Sequence, residues 1–111
     1  MSTPRFDFKG DPKLLESVTR ALRRVVDPEM ALDIVNLGLV NAVEIADRVA
    51  LARITMTSPA CPVTETIVDD TRDELFATLG PNIEIRVDVE WEPAWTPERM
   101  SESARRAMGW D

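Results

Sequence analysis

Histidine is absent from the 111 residues, and cysteine occurs once, as Cys61. These two scarcities exclude a cysteine–histidine dyad, a serine–histidine triad and a histidine-ligated zinc site within one chain. An internal disulfide is excluded as well, which agrees with a reducing compartment. Any metal must therefore draw on Cys61, carboxylates, a second copy of the chain or a partner. No apolar run approaches the ~18 residues of a spanning helix, and the N-terminus shows no signal-peptide core. A cytoplasmic protein without membrane contact is expected. Basic residues are also in the minority, 13 against 20 acidic, for a net charge of −7. That balance lacks the footprint of a nucleic-acid binder, so no nucleic-acid partner is expected.

What is present centres on the one thiol. Cys61 lies in Thr55-Met56-Thr57-Ser58-Pro59-Ala60-Cys61-Pro62, where an apolar strand gives way to a helix. Proline suits the first position of a helix because its missing N–H would have been an orphan donor. Pro62 is read as that position and Cys61 as the N-cap. Free N–H groups and the helix dipole there favour the thiolate, which is both nucleophile and metal ligand. A small buried hydrophobe is the competing reading, since free cysteine is commonly buried.

Along the chain, residues 1–10 read as a flexible leader with Phe6 and Phe8 as docking residues, and 11–111 as a single domain. Asp11-Pro12 opens a helix whose stripe of Leu14, Leu15, Val18, Ala21, Leu22, Val25 and Val26 repeats at helical spacing. Asp27-Pro28 stops it. A connector over 28–38 follows, with a helical turn expected around Leu32 to Val35. Val40–Ile45 and Val49–Met56 read as strands of an antiparallel hairpin turning at Asp47-Arg48. A second helix spans Pro62–Leu79, with Val63, Ile67, Thr71, Leu75 and Leu79 facing inward and Gly80 at its end. Ile83, Ile85, Val87, Val89 and Trp91 alternate with charged residues, which marks a strand with one buried face. Thr96-Pro97 caps a third helix running to Met108. The expected fold is α+β: a two-layer sandwich of order α-β-β-α-β-α, its three-stranded mixed sheet carrying helices on one face.

This topology brings three irregular segments to one edge, 27–38, 57–62 and 91–97. They hold Cys61, Asp27, Glu29, Thr57, Ser58 and Trp95. Each has a plainer reading. Asp27 and Glu29 flank a turn proline, and Thr57 and Ser58 satisfy backbone groups before a helix. Trp91 and Trp95 serve as packing, and Met30, Met56 and Met100 as gap-fillers.

Four motifs now stand in register: Asp27-Pro28-Glu29, Asp33-Ile34-Val35-Asn36-Leu37-Gly38-Leu39-Val40, the Thr55–Pro62 stretch, and Trp91-Glu92-Pro93-Ala94-Trp95-Thr96-Pro97-Glu98-Arg99-Met100. Together they resemble the metal–sulfur cluster assembly factor family, which includes SufT-like and PaaD-like proteins. The resemblance spans roughly residues 12–109. It implies a small iron–sulfur cluster assembly-type domain that acts as a maturation factor and not an enzyme. Cys61 is then the functional residue, with Asp27 and Glu29 as its acidic pair and Thr57 and Ser58 as the polar turn. PaaD-type members carry a cysteine-rich C-terminal extension, whereas this chain ends at Gly109-Trp110-Asp111, so the short general-purpose form is expected.

The leading expectation is that Cys61 is a transient thiolate ligand for an iron–sulfur cluster or iron. A cluster needs about four ligands, so a homodimer or a partner must supply the rest. The partners implied are apo iron–sulfur client proteins and the cluster assembly machinery, with Trp95 as a candidate partner contact. Two alternatives stand beside this one. A client-recruiting adaptor would not touch the metal at all. An enzyme using Cys61 as nucleophile would need Asp27 or Glu29 as base, and a carboxylate is a weak base for a thiol at neutral pH.

Overall fold

A computed structural model of the chain describes residues 6–58 and 62–109. Its strands are β1 (Asp7–Lys9), β2 (Val26–Asp27), β3 (Leu32–Asp33), β4 (Val40–Ala46), β5 (Val49–Ile54) and β6 (Glu84–Val89). Its helices are α1 (Leu15–Arg23), α2 (Thr64–Leu79) and α3 (Glu102–Met108). Four strands form the main sheet in the order β1-β4-β5-β6, and β2 and β3 form a separate two-stranded ribbon. The fold is thus α+β, but the single three-stranded sheet and the simple α-β-β-α-β-α order are overturned. The β4–β5 pair is the antiparallel hairpin, and β1 and β6 add in parallel on either side of it.

The fourth strand comes from the stretch read as a leader. Phe6-Asp7-Phe8-Lys9 alternates apolar and charged, so pairing with β4 turns both aromatic rings inward. Phe6 is 7% exposed, and Phe8 packs against the core. Two apolar positions are too short a signal to register as a strand. What secures the pairing is the edge of β4, whose backbone groups need partners.

The register divides the sheet into two faces. Val43, Ala52, Ile54, Ile85, Val87 and Val89 lie on the face that meets Val18, Leu22, Ile67 and Leu75 of the helices. Glu44, Arg53, Glu84, Arg86 and Asp88 lie on the other. A helix stripe against an alternating strand pattern gives one core between two layers. The helices also meet each other: Arg24, which follows α1, donates from Nε to Glu74 of α2 at 2.6 Å and from Nη2 to Thr78 at 3.2 Å.

Element boundaries shift for identifiable reasons. Pro12–Leu14 forms a 3₁₀ turn capped by Asp11, whose carboxylate accepts from the Lys13 N–H at 2.9 Å, and the α-helix proper starts at Leu15. Val26 leaves the stripe for β2 and is 46% exposed. Instead of a helical turn, the connector makes the β2–β3 ribbon. Helix α2 begins at Thr64, with Val63 in the cap position and Pro62 ahead of it, so Pro62 is not the first helical residue. Cys61, expected at the cap, lies outside the described residues. The third helix is broken. Pro97–Arg99 is a 3₁₀ turn, Met100 is extended and buried, and Ser101 caps α3 by accepting from the Ala104 N–H at 3.1 Å. The break is tertiary in origin, because the Ser101 N–H donates to the Asn36 carbonyl at 2.8 Å.

Candidate functional site

The loop end of the hairpin gathers several segments through hydrogen bonds that cross between them. The Thr55 N–H donates to the Leu39 carbonyl at 2.7 Å, and the Glu90 N–H to that of Ile54 at 2.7 Å. Trp95 donates from Nε1 to the Leu37 carbonyl at 2.7 Å. The segments 36–39, 54–55, 90–95 and 99–101 therefore meet here.

Gly38 fixes how closely they meet. Its φ is +75°, and a Cβ there would stand 2.2 Å from the Arg99 carbonyl oxygen. Only glycine permits both that backbone geometry and that approach. Arg99 is thereby held against the 33–39 turn. That turn is set locally by Asp33, whose carboxylate accepts from the Asn36 N–H at 2.9 Å and from its Nδ2 at 2.7 Å.

Asp27 lies at the start of a tight turn. It is 1% exposed, and its Oδ1 accepts from the N–H of Glu29 at 2.8 Å and of Met30 at 3.3 Å. The Ala31 N–H closes the same turn on the Asp27 carbonyl at 2.7 Å, with Ala31 at φ 57°. The carboxylate thus organises the tight link between β2 and β3. Glu29 is exposed on that turn, Thr57 is half-buried and Ser58 exposed. Trp95 is half-buried against the core and anchored by its indole N–H, whereas Trp91, expected on the inward face of the strand, is 45% exposed. Met30, Met56 and Met100 all contribute to the core.

A feature missed in the sequence lies beside this edge. An open groove of about 620 Å³ runs across the end of the sheet, lined by Asp7, Asn41, Arg53, Glu90, Pro93 and Arg99 among others. A register shift between Val40 and Ala42 leaves Asn41 as an extra residue in β4, and such bulges re-aim side chains. Asn41 accepts from the Arg99 guanidinium through Oδ1 and donates from Nδ2 to Glu90 at 3.0 Å. Glu90 also faces Arg53, with Nε to Oε2 at 4.0 Å, and Arg53 lies 3.7 Å from Glu44. Burial lowers the pKa of Arg99 from its ordinary value. No sequence signal marks the bulge, although Arg99 lies within a motif already singled out and Glu90 directly before it.

Both charge signs and one side-chain amide, that of Asn41, line this groove. Among the described residues no three histidine, cysteine, aspartate or glutamate side chains group to hold a metal ion. No helix among them is long and apolar enough to cross a membrane.

An α+β domain of this topology is found among known proteins. A family model described as iron–sulfur cluster assembly protein matches residues 15–89. The chain is 44% identical over 98 residues to the Fe-S protein maturation auxiliary factor YitW of Bacillus subtilis, covering 86% of this chain and 94% of that one. It is 40% identical over 86 residues to the Fe-S protein maturation auxiliary factor SufT of Staphylococcus aureus, covering 77% and 97%. A crystal structure of a domain of unknown function from Bacillus anthracis superposes with a TM-score of 0.79 at 41% identity, covering 86% of this chain and 92% of that one. The chain belongs to the iron–sulfur cluster assembly protein family, as its motifs imply.

Proposed function

We propose that this protein acts in the maturation of iron–sulfur proteins as a client-recruiting adaptor, an auxiliary factor and not an enzyme. The observation that carries the reading is the match, over nearly the full length of both chains, to proteins named as maturation auxiliary factors. The docking surface in this reading is the loop end of the hairpin, with the groove around Asn41, Arg53, Glu90 and Arg99 receiving a segment of the apo client. Trp95, which donates to the Leu37 carbonyl, belongs to the same loop end. The state of Asp27 supports recruitment over metal ligation, because the residue is buried and its Oδ1 already accepts from two backbone N–H groups.

Direct ligation of the cargo by Cys61 is the competing reading, and it has a chemical constraint. One thiolate leaves about three ligand positions of a cluster open, so a second copy, a small thiol or the client must fill them. Anaerobic reconstitution with iron and sulfide, followed by absorbance and Mössbauer spectra, separates the two readings. The adaptor reading expects an apo iron–sulfur protein to bind wild type and Cys61→Ser alike, and to lose affinity on Arg53→Glu. A cluster retained by wild type and lost in Cys61→Ser, with client binding unaffected by Arg53→Glu, would assign the function to the thiol.

A further inference from the structure

We infer that the outer edge of β6 is a self-association surface, occupied by β6 of a second copy of this chain running antiparallel to it. Strand β6 ends the sheet, and only β5 pairs with it. The Glu84 N–H donates to the Arg48 carbonyl at 2.8 Å and the Glu90 N–H to that of Ile54, so the even-numbered residues point their backbone groups toward β5. Alternation along a strand then turns the N–H and C=O groups of Ile85, Val87 and Val89 outward. Among the described residues, no strand, turn or loop backbone bonds to them.

Natural sheet edges are blunted by shortness, proline, bulges or charges turned inward. The opposite edge obeys this, since β1 has three residues, two of them charged. In contrast, β6 has six residues, no internal proline and a regular register with β5. Its charged side chains all lie on one face, and its other face is apolar. An apolar flank adjoins the open edge. Glu74 and Thr78 mark the side of α2 that meets the end of α1. At about 100° per residue, Phe76 falls on the opposite side, toward the outer edge of the strand that α2 packs upon. Phe76 is 51% exposed.

Charge complementarity selects the occupant and the register. With the two-fold axis at Ile85, each Ile85 faces its counterpart as a hydrogen-bonded pair. Glu84 of one copy then faces Arg86 of the other as a non-hydrogen-bonded pair, the geometry in which side chains approach most closely. Asp88 of one copy comes opposite Asn82, in the turn that precedes β6 of the other. Centring on Val87 instead pairs Arg86 with Asp88 but opposes Glu84 to Glu90 on both flanks, so like charges offset that gain. Centring on Arg86 opposes arginine to arginine, and it also points the wrong backbone groups across the axis. Within each copy Arg86 already pairs with Glu84, so dimerisation exchanges partners between equivalent pairs.

The test is sedimentation velocity of the full chain over roughly 1 μM to 1 mM, together with amide hydrogen exchange. A concentration-dependent dimer is expected, with exchange at Ile85 and Val87 slowing as it forms. Arg86→Glu opposes two glutamates at each pair and should weaken association by about tenfold or more. The double swap Glu84→Arg/Arg86→Glu should restore it. Circular dichroism confirms folding, since both positions are exposed. A monomer at every concentration overturns the proposal. So does a dimer indifferent to Arg86→Glu, a double swap that fails to restore it, or exchange at Ile85 and Val87 that ignores concentration. Slowing of those amides only when an apo client is added would give the edge to a client strand and overturn it equally.

Discussion

At one end of the β4–β5 hairpin the chain reverses in two residues, Asp47 and Arg48, whereas the other end is assembled from four separate segments. The two-residue turn is self-sufficient. Both residues have positive φ, 51° and 64°, which matches the twist a hairpin needs. Ala46 pairs with Val49 directly across it. The loop end has no such autonomy. Asn36, Leu37, Gly38 and Leu39 are held by Ser101, Trp95, Arg99 and Thr55 respectively, so every part depends on another. Strain at the turn stays local, while a change at the loop end spreads to the groove and to the segments flanking the motif cysteine.

That contrast breaks most sharply at Gly38. Gly38→Ala places a methyl group 2.2 Å from the Arg99 carbonyl at a backbone angle alanine resists. A loss of about 3 kcal/mol or more is expected in urea unfolding. Amide shifts should extend through residues 36–41 and 95–101. A loss below ~1 kcal/mol would mean the loop end yields as easily as a simple turn.

Next comes Asp27→Ala, which strands the N–H groups of Glu29 and Met30 in a part-buried turn. About 1–3 kcal/mol of stability should be lost, and Asp27→Asn should recover much of it because an amide oxygen still accepts. Equal losses in the two variants would show that charge, not hydrogen-bond geometry, holds the turn.

The self-contained end should respond in the opposite direction. Arg48→Gly relieves a left-handed arginine and should stabilise the protein by ~0.5–1 kcal/mol. Thermal unfolding reads this as a rise of a few degrees, with amide shifts confined to residues 46–50 and 84. Shifts reaching Gly38 would erase the distinction between the two ends.

The smallest effect concerns Glu98, at the border of the loop end. Its own backbone N–H, then the Thr96 hydroxyl, and more weakly Arg105, hold its carboxyl below the ordinary value. A depressed carboxyl favours the folded state above its unfolded pKa, and that contribution fades as pH falls through the folded one. An NMR titration of Thr96→Ala should show the Glu98 midpoint move upward while the fold stays intact. An unmoved midpoint would remove the threonine from the site's electrostatics.

How legible these features were in the sequence follows from how local their causes are. The hairpin, the alternation in β6 and the inward face Ile67-Thr71-Leu75 were all readable, because each repeats its signal within one element. The tight turn at Asp27 was readable too, as the plainer alternative for an aspartate before proline. The break before α3 was not, since nothing in Met100-Ser101 forbids a helix. It takes the Asn36 carbonyl, 65 residues upstream of Ser101, to impose it. The Asn41 bulge and its links to Arg99 and Glu90 are likewise contacts between distant positions. So Trp95, which lies in a readable motif, could be marked in advance as a residue to look at, and the groove lined by Asn41, Glu90 and Arg99 could not.

The register of the sheet carries a consequence for how the chain is made. Phe8 pairs with Val43, and Ala50 with Ile85, so each outer strand lies 35 positions from its partner, one upstream and one downstream. During synthesis the central hairpin can close as soon as its own residues leave the ribosome. Strand β1 is made before its partner, so Phe6 and Phe8 stay unsheltered until β4 arrives. The last-made strand docks only after α2 has been threaded. Assembly thus proceeds outward from the central hairpin, and β1, made before it, docks only after it.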